Sequence, residues 1–141
     1  MKLRGKLGLA ILAGAASLAL SAPALAQNTA AAYGCACLHN LTKSNITYRF
    51  KWGEGEWKKV TMKPEGGAQW MCWRYKDGPK SPELTFELDV DLTSENKWKK
   101  FSIPRVQAKD TGCNNIPEKG HYNVDYVANN KKQIQVYTGK K

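Results

Sequence analysis

Between Leu84 and Leu92 every second residue is large and apolar. Leu84, Phe86, Leu88, Val90 and Leu92 fall on one side; Thr85, Glu87, Asp89 and Asp91 fall on the other. Side chains of an extended chain point alternately to opposite faces, so this period of two describes a strand with one buried and one wet face. The rhythm returns in residues 45–52, where Ile46, Tyr48, Phe50 and Trp52 alternate with Thr47, Arg49 and Lys51. Trp57 to Lys63 and Ala68 to Tyr75 read as two further strands, the second apolar on both faces and therefore expected at the centre of a sheet. Trp98 to Ile103 is another, stopped or moved to an edge by Pro104, with Arg105 to Lys109 continuing it. His121 to Ala128 and Gln133 to Tyr137 make a terminal hairpin across Asn129-Asn130. Turn-forming stretches separate these runs: Gly53-Glu54-Gly55-Glu56, Pro64-Glu65-Gly66-Gly67, Asp77-Gly78-Pro79 and residues 110–120. About six to eight short strands at this spacing, without a convincing helix, predict an all-β fold: a small antiparallel sandwich or sandwich-like barrel.

The start of the chain follows other rules. Lys2, Arg4 and Lys6 precede an uncharged apolar run from Leu7 to Leu20, and Ala24-Leu25-Ala26 supplies the small-x-small pattern cut by a signal peptidase. Residues 1–26 therefore read as a cleavable, bacterial-type secretion signal, residues 27–34 as a flexible leader and residues 35–141 as one β domain. This places the protein in the periplasm or the medium. No later stretch is apolar enough to enter a membrane.

Cys35, Cys37, Cys72 and Cys113 form an even set, which in an exported protein reads first as two disulfides. A bond between Cys35 and Cys37 would close a very small ring. The expected pairing joins each of them to one of Cys72 and Cys113, and each bond stabilises the fold by roughly 3–4 kcal/mol. Cys35, Cys37 and His39 also share one face of an extended strand, and two thiolates with an imidazole suit copper or zinc. Oxidation on export competes with that role, so periplasmic metal binding stands as an alternative and no cofactor is expected.

Cleavage after Ala26 removes three cations, leaving 19 basic against 12 acidic side chains, a net charge of +7. Such a balance favours anionic surfaces. Export argues against nucleic acid as the partner. Aromatic and basic residues are interleaved in Trp57-Lys58-Lys59, Trp98-Lys99-Lys100 and Trp73-Arg74-Tyr75-Lys76. Trp70 and Trp73, three apart, cannot share one face of a regular strand. An exposed indole beside lysines can stack on a sugar ring while the ammonium groups hold carboxylates or phosphates. Trp57, Lys58, Lys59, Trp73, Trp98, Lys99 and Lys100 are the candidate binding residues.

Glu87, Asp89 and Asp91, spaced roughly 7 Å apart along a strand face, suggest a calcium or glycosidase site less than a solvated face cross-paired with Arg49, Lys51 or Lys58. No nucleophile elbow, zinc-protease helix motif or phosphate-binding glycine loop occurs. The expectation is a non-enzymatic module that binds an anionic or saccharide-containing polymer at the cell surface. A secreted inhibitor or protein-interaction module, using residues 77–83 and 114–120 against an extracellular protein, is the first alternative. The sequons Asn40-Leu41-Thr42 and Asn45-Ile46-Thr47 matter only in a eukaryotic secretory host.

Overall fold

A computed structural model describes residues 30–65 and 67–138; the expected secretion signal over residues 1–26 lies outside the described residues. Nine strands follow in chain order: β1 (Tyr33–Asn40), β2 (Ile46–Trp52), β3 (Lys58–Met62), β4 (Gly67–Arg74), β5 (Leu84–Asp89), β6 (Trp98–Phe101), β7 (Val106–Ala108), β8 (His121–Val127) and β9 (Asn130–Thr138). Two short 3₁₀ turns, Cys113–Asn115 and Glu118–Gly120, are the helical elements among the described residues. The strands build two packed sheets, a disulfide-stabilised β-sandwich as the alternation predicts. β1 includes Tyr33 and Gly34, so the last two residues of the expected leader belong to a strand.

One sheet, here the disulfide sheet, runs β4-β1-β8-β9, with β7 also paired to β1; the other, the tryptophan sheet, runs β3-β2-β5-β6. Pairing is antiparallel except between β1 and β8, which run parallel with Cys37 opposite His121 and His39 opposite Asn123. The core lies between the inner faces. Ala36, Leu38, Met71, Tyr122, Val124 and Ile134 meet Ile46, Tyr48, Phe50, Trp52, Phe86 and Leu88 there. In β2 and β5 these are the alternate residues that the period of two marks as apolar.

Three expectations are corrected. β4 is an edge strand, bonded only to β1, although it is apolar on both faces. Met71 and Trp73 face the core, whereas Cys72 faces outward because it bonds to Cys35 directly across the ladder, with Cα atoms 4.2 Å apart. The run from Trp98 to Lys109 is two strands in different sheets: β6 pairs with β5, and after Pro104 the chain crosses over so that β7 pairs with β1. The regular strand expected to reach Leu92 leaves the tryptophan sheet after Asp89. Backbone bonds from Ile134 to Val90 and from Leu92 to Lys132 tie this extension to β9 and close one end of the sandwich.

Between β1 and β2 the turn is held by Asn40, which is fully buried. Its amide donates to the carbonyls of Ser44 and Lys63, each at 2.8 Å, and its Oδ1 accepts from the Thr42 hydroxyl at 2.7 Å and the Thr42 N–H at 3.0 Å. Buried polar groups need such partners, and every hydrogen-bonding site of this side chain is engaged.

Candidate functional site

The outer face of the tryptophan sheet gathers the most distinctive side chains. Register places Lys59, Arg49, Glu87 and Lys100 in one row across β3, β2, β5 and β6. Both Nε and one Nη of Arg49 reach the same oxygen of Glu87 at 2.6 Å. The guanidinium is flanked by two indoles, its Cζ lying 4.5 Å from the ring centroid of Trp57 and 4.5 Å from that of Trp98. Lys51 Nζ sits 5.3 Å from the Trp57 ring and Lys59 Nζ 5.8 Å from that of Trp98. A delocalised planar cation between two indole faces is favourable by roughly 0.5–1 kcal/mol per contact at exposed sites. Trp57 remains 39 % exposed, and Trp98 is half-buried.

Four of the seven candidate binding residues therefore share this face: Trp57, Lys59, Trp98 and Lys100. Arg49 and Lys51 join them, although alternation alone marked them only as the wet side of β2. The other three lie elsewhere. Trp73 belongs to the disulfide sheet and packs inward on Trp52, ring centroids 5.6 Å apart. Lys58 and Lys99 fall on the inner-face positions of the two edge strands, opposite Phe50 and Leu88, with their ammonium nitrogens 5.9 Å from the Phe50 ring centroid and 5.4 Å from that of Phe101. An inward-pointing lysine on an edge strand opposes pairing with a second sheet.

The carboxylates of β5 are occupied locally. Glu87 holds Arg49, Asp89 accepts from the backbone N–H groups of Asn96 and Lys97, and Asp91 accepts from the N–H and hydroxyl of Thr93. The Thr93 bonds hold the Asp91 carboxyl below its ordinary range. Of the two loops, residues 77–80 are exposed and polar apart from Pro79, and in the other Ile116 turns inward against Cys35, Cys37 and Ala108.

The outer face of the disulfide sheet carries a second constellation. Cys35 bonds to Cys72 and Cys37 to Cys113, the pairing pattern the sequence favoured, so neither sulfur is a thiolate and the Cys35, Cys37, His39 ligand set does not exist in this form. What the fold adds is His121. Parallel pairing of β1 with β8 brings it beside His39, Nε2 of His39 lying 2.7 Å from Nδ1 of His121, with the ring planes 16° from parallel. Nε2 of His121 lies 2.8 Å from the carbonyl of Ile116. Gly120 lets this turn close on the sheet: a Cβ there would stand 2.3 Å from Val106. Trp70, opposite Cys37, and Tyr137, opposite Asn123, flank the histidines and are 50 % and 38 % exposed.

The disulfides point to an oxidising compartment. Among the described residues no helix is long and apolar enough to cross a membrane. Comparison with protein-family models, with curated proteins and with solved structures gave no match to this chain.

Proposed function

We propose that the protein is an exported binding module for an anionic, saccharide-containing polymer, and that the outer face of the tryptophan sheet is its contact surface. The observation that carries this reading is the guanidinium of Arg49 held between Trp57 and Trp98, within a row that also presents Lys59 and Lys100. Two indoles fixed by a cation between them form a rigid apolar platform. Order present before binding need not be created on binding, which lowers the entropic cost of association. Sugar rings stack on the exposed part of Trp57, while Lys51, Lys59 and Lys100 meet carboxylates or phosphates of the polymer. Glu87 neutralises Arg49 and keeps it in place, leaving the three ammonium groups as the attracting charges.

The test is retention on polygalacturonate, with dextran as the neutral control. Binding to polygalacturonate should weaken as salt is raised from 50 to 500 mM, as expected for exposed charges. Trp57→Ala with Trp98→Ala should weaken it at least tenfold. Salt-independent retention, or an unchanged double variant that remains folded, would rule this surface out.

A further inference from the structure

We infer that His39 and His121 form a chelating site for a divalent late transition metal, copper(II) before zinc(II), on the outer face of the disulfide sheet. This site is independent of the polymer surface, which lies on the other sheet. The two imidazoles come from strands 82 residues apart and present one nitrogen each at a separation of 2.7 Å.

The tautomer of His121 is fixed by its surroundings. A carbonyl oxygen can only accept, so the Nε2 that faces Ile116 at 2.8 Å carries the hydrogen and Nδ1 is left with its lone pair toward His39. A metal-bound histidine typically has this arrangement, its second ring nitrogen donating to a carbonyl or carboxylate. His121 is only 4 % exposed and held by the Gly120 turn, whereas His39 is half-buried and gives an ion access from solvent. In the metal-free protein the hydrogen of His39 lies between the two nitrogens. When the ion enters, that hydrogen leaves Nε2, and the neutral ring carries its one hydrogen on Nδ1.

The bite selects the metal. In the metal-free protein the two nitrogens stand 2.7 Å apart across a hydrogen bond. Neighbouring ligands at right angles on metal–nitrogen bonds of about 2.0–2.1 Å stand about 2.8–3.0 Å apart, so binding needs the rings to part slightly and turn both lone pairs toward the ion. The tetrahedral spacing that zinc favours, about 3.3–3.4 Å, needs a larger movement, which favours the tetragonal geometry of copper(II) or nickel(II). Copper(II) also leads by intrinsic affinity among divalent first-row ions. Cys37 Sγ lies 3.3 Å from His39 Nε2, but as a disulfide sulfur it brings no charge. Asn123, opposite His39 in the parallel register, is the neighbouring oxygen-bearing side chain on this face. The remaining positions on the ion are open to water or to a small ligand.

The experiment uses the oxidised, tag-free protein, shown by alkylation to hold no free thiol, titrated separately with copper(II), nickel(II) and zinc(II) chlorides. One copper(II) should bind per chain. Its electron paramagnetic resonance spectrum should be axial with coupling to two imidazole nitrogens, and Trp70 fluorescence should be quenched as it binds. His39→Gln should weaken copper binding at least tenfold while leaving the metal-free melting temperature close to that of the unaltered protein. His121→Gln should do the same to copper binding even if it costs stability. Absence of copper binding, full retention in a folded His39→Gln variant, or tighter binding of zinc than copper would each overturn the assignment.

Discussion

Arg49 shows how one side chain acquires meaning only in three dimensions. In sequence it is the polar partner in an alternating strand, and that reading is correct; the two indoles that flank it come from other strands and are invisible to local pattern. His39 and His121 make the same point more sharply, because nothing local links residues whose contact depends on a parallel pairing of β1 with β8. Tyr48 is a case where position in the pattern does predict behaviour. It falls on the apolar side of β2 and is 1 % exposed, and burial pushes its phenol well above the ordinary value near 10. The folded protein thus keeps a proton that the unfolded chain releases above that pH. Stability from this group is complete below about pH 10 and declines as pH rises, by up to about 1.4 kcal/mol per unit. Urea midpoints measured from pH 9 to pH 11.5 should fall less steeply for Tyr48→Phe than for the unaltered protein.

Among the elements, β2 and β5 were legible because one side of each is core and the other is wet, which is what period-two reading detects. β4 misleads because a disulfide places a cysteine, and with it Trp70, on an outward face; apolar residues there mark a cross-link rather than a second buried layer. The break between β6 and β7 was visible as Pro104, but a proline tells where a strand ends and not which sheet the chain enters next. The two disulfides act on different elements. Cys35–Cys72 staples strands already joined by a ladder, whereas Cys37–Cys113 ties the 3₁₀ segment over the face of β1. Their separations of 37 and 76 residues correspond to about 3.8 and 4.5 kcal/mol in the chain-entropy treatment. Removing Cys37 and Cys113 as a pair should therefore cost more stability in urea titrations than removing Cys35 and Cys72. It should also loosen His121, whose carbonyl partner Ile116 lies three residues beyond Cys113, and so raise amide exchange in the first residues of β8.

On the scale of the whole molecule, two opposed faces carry two kinds of chemistry: indoles and cations on the tryptophan sheet, imidazoles bordered by Trp70 and Tyr137 on the disulfide sheet. The core separates them, so each can be altered without disturbing the other. The turn held by Asn40 has a consequence for how the protein is produced. Asn40-Leu41-Thr42 is an acceptor for N-linked glycosylation, and a eukaryotic secretory pathway attaches sugar to the asparagine amide of the extended chain. In the native fold that amide nitrogen gives its hydrogens to Ser44 and Lys63 and has no exposed surface. A glycan there and the closed sandwich exclude each other, while Asn45 is exposed and accommodates one. Made in yeast or mammalian cells, molecules glycosylated at Asn40 should be retained as unfolded chains, and mass spectrometry of the secreted fraction should find sugar on Asn45 alone. The choice of host thus decides what share of the chains can fold.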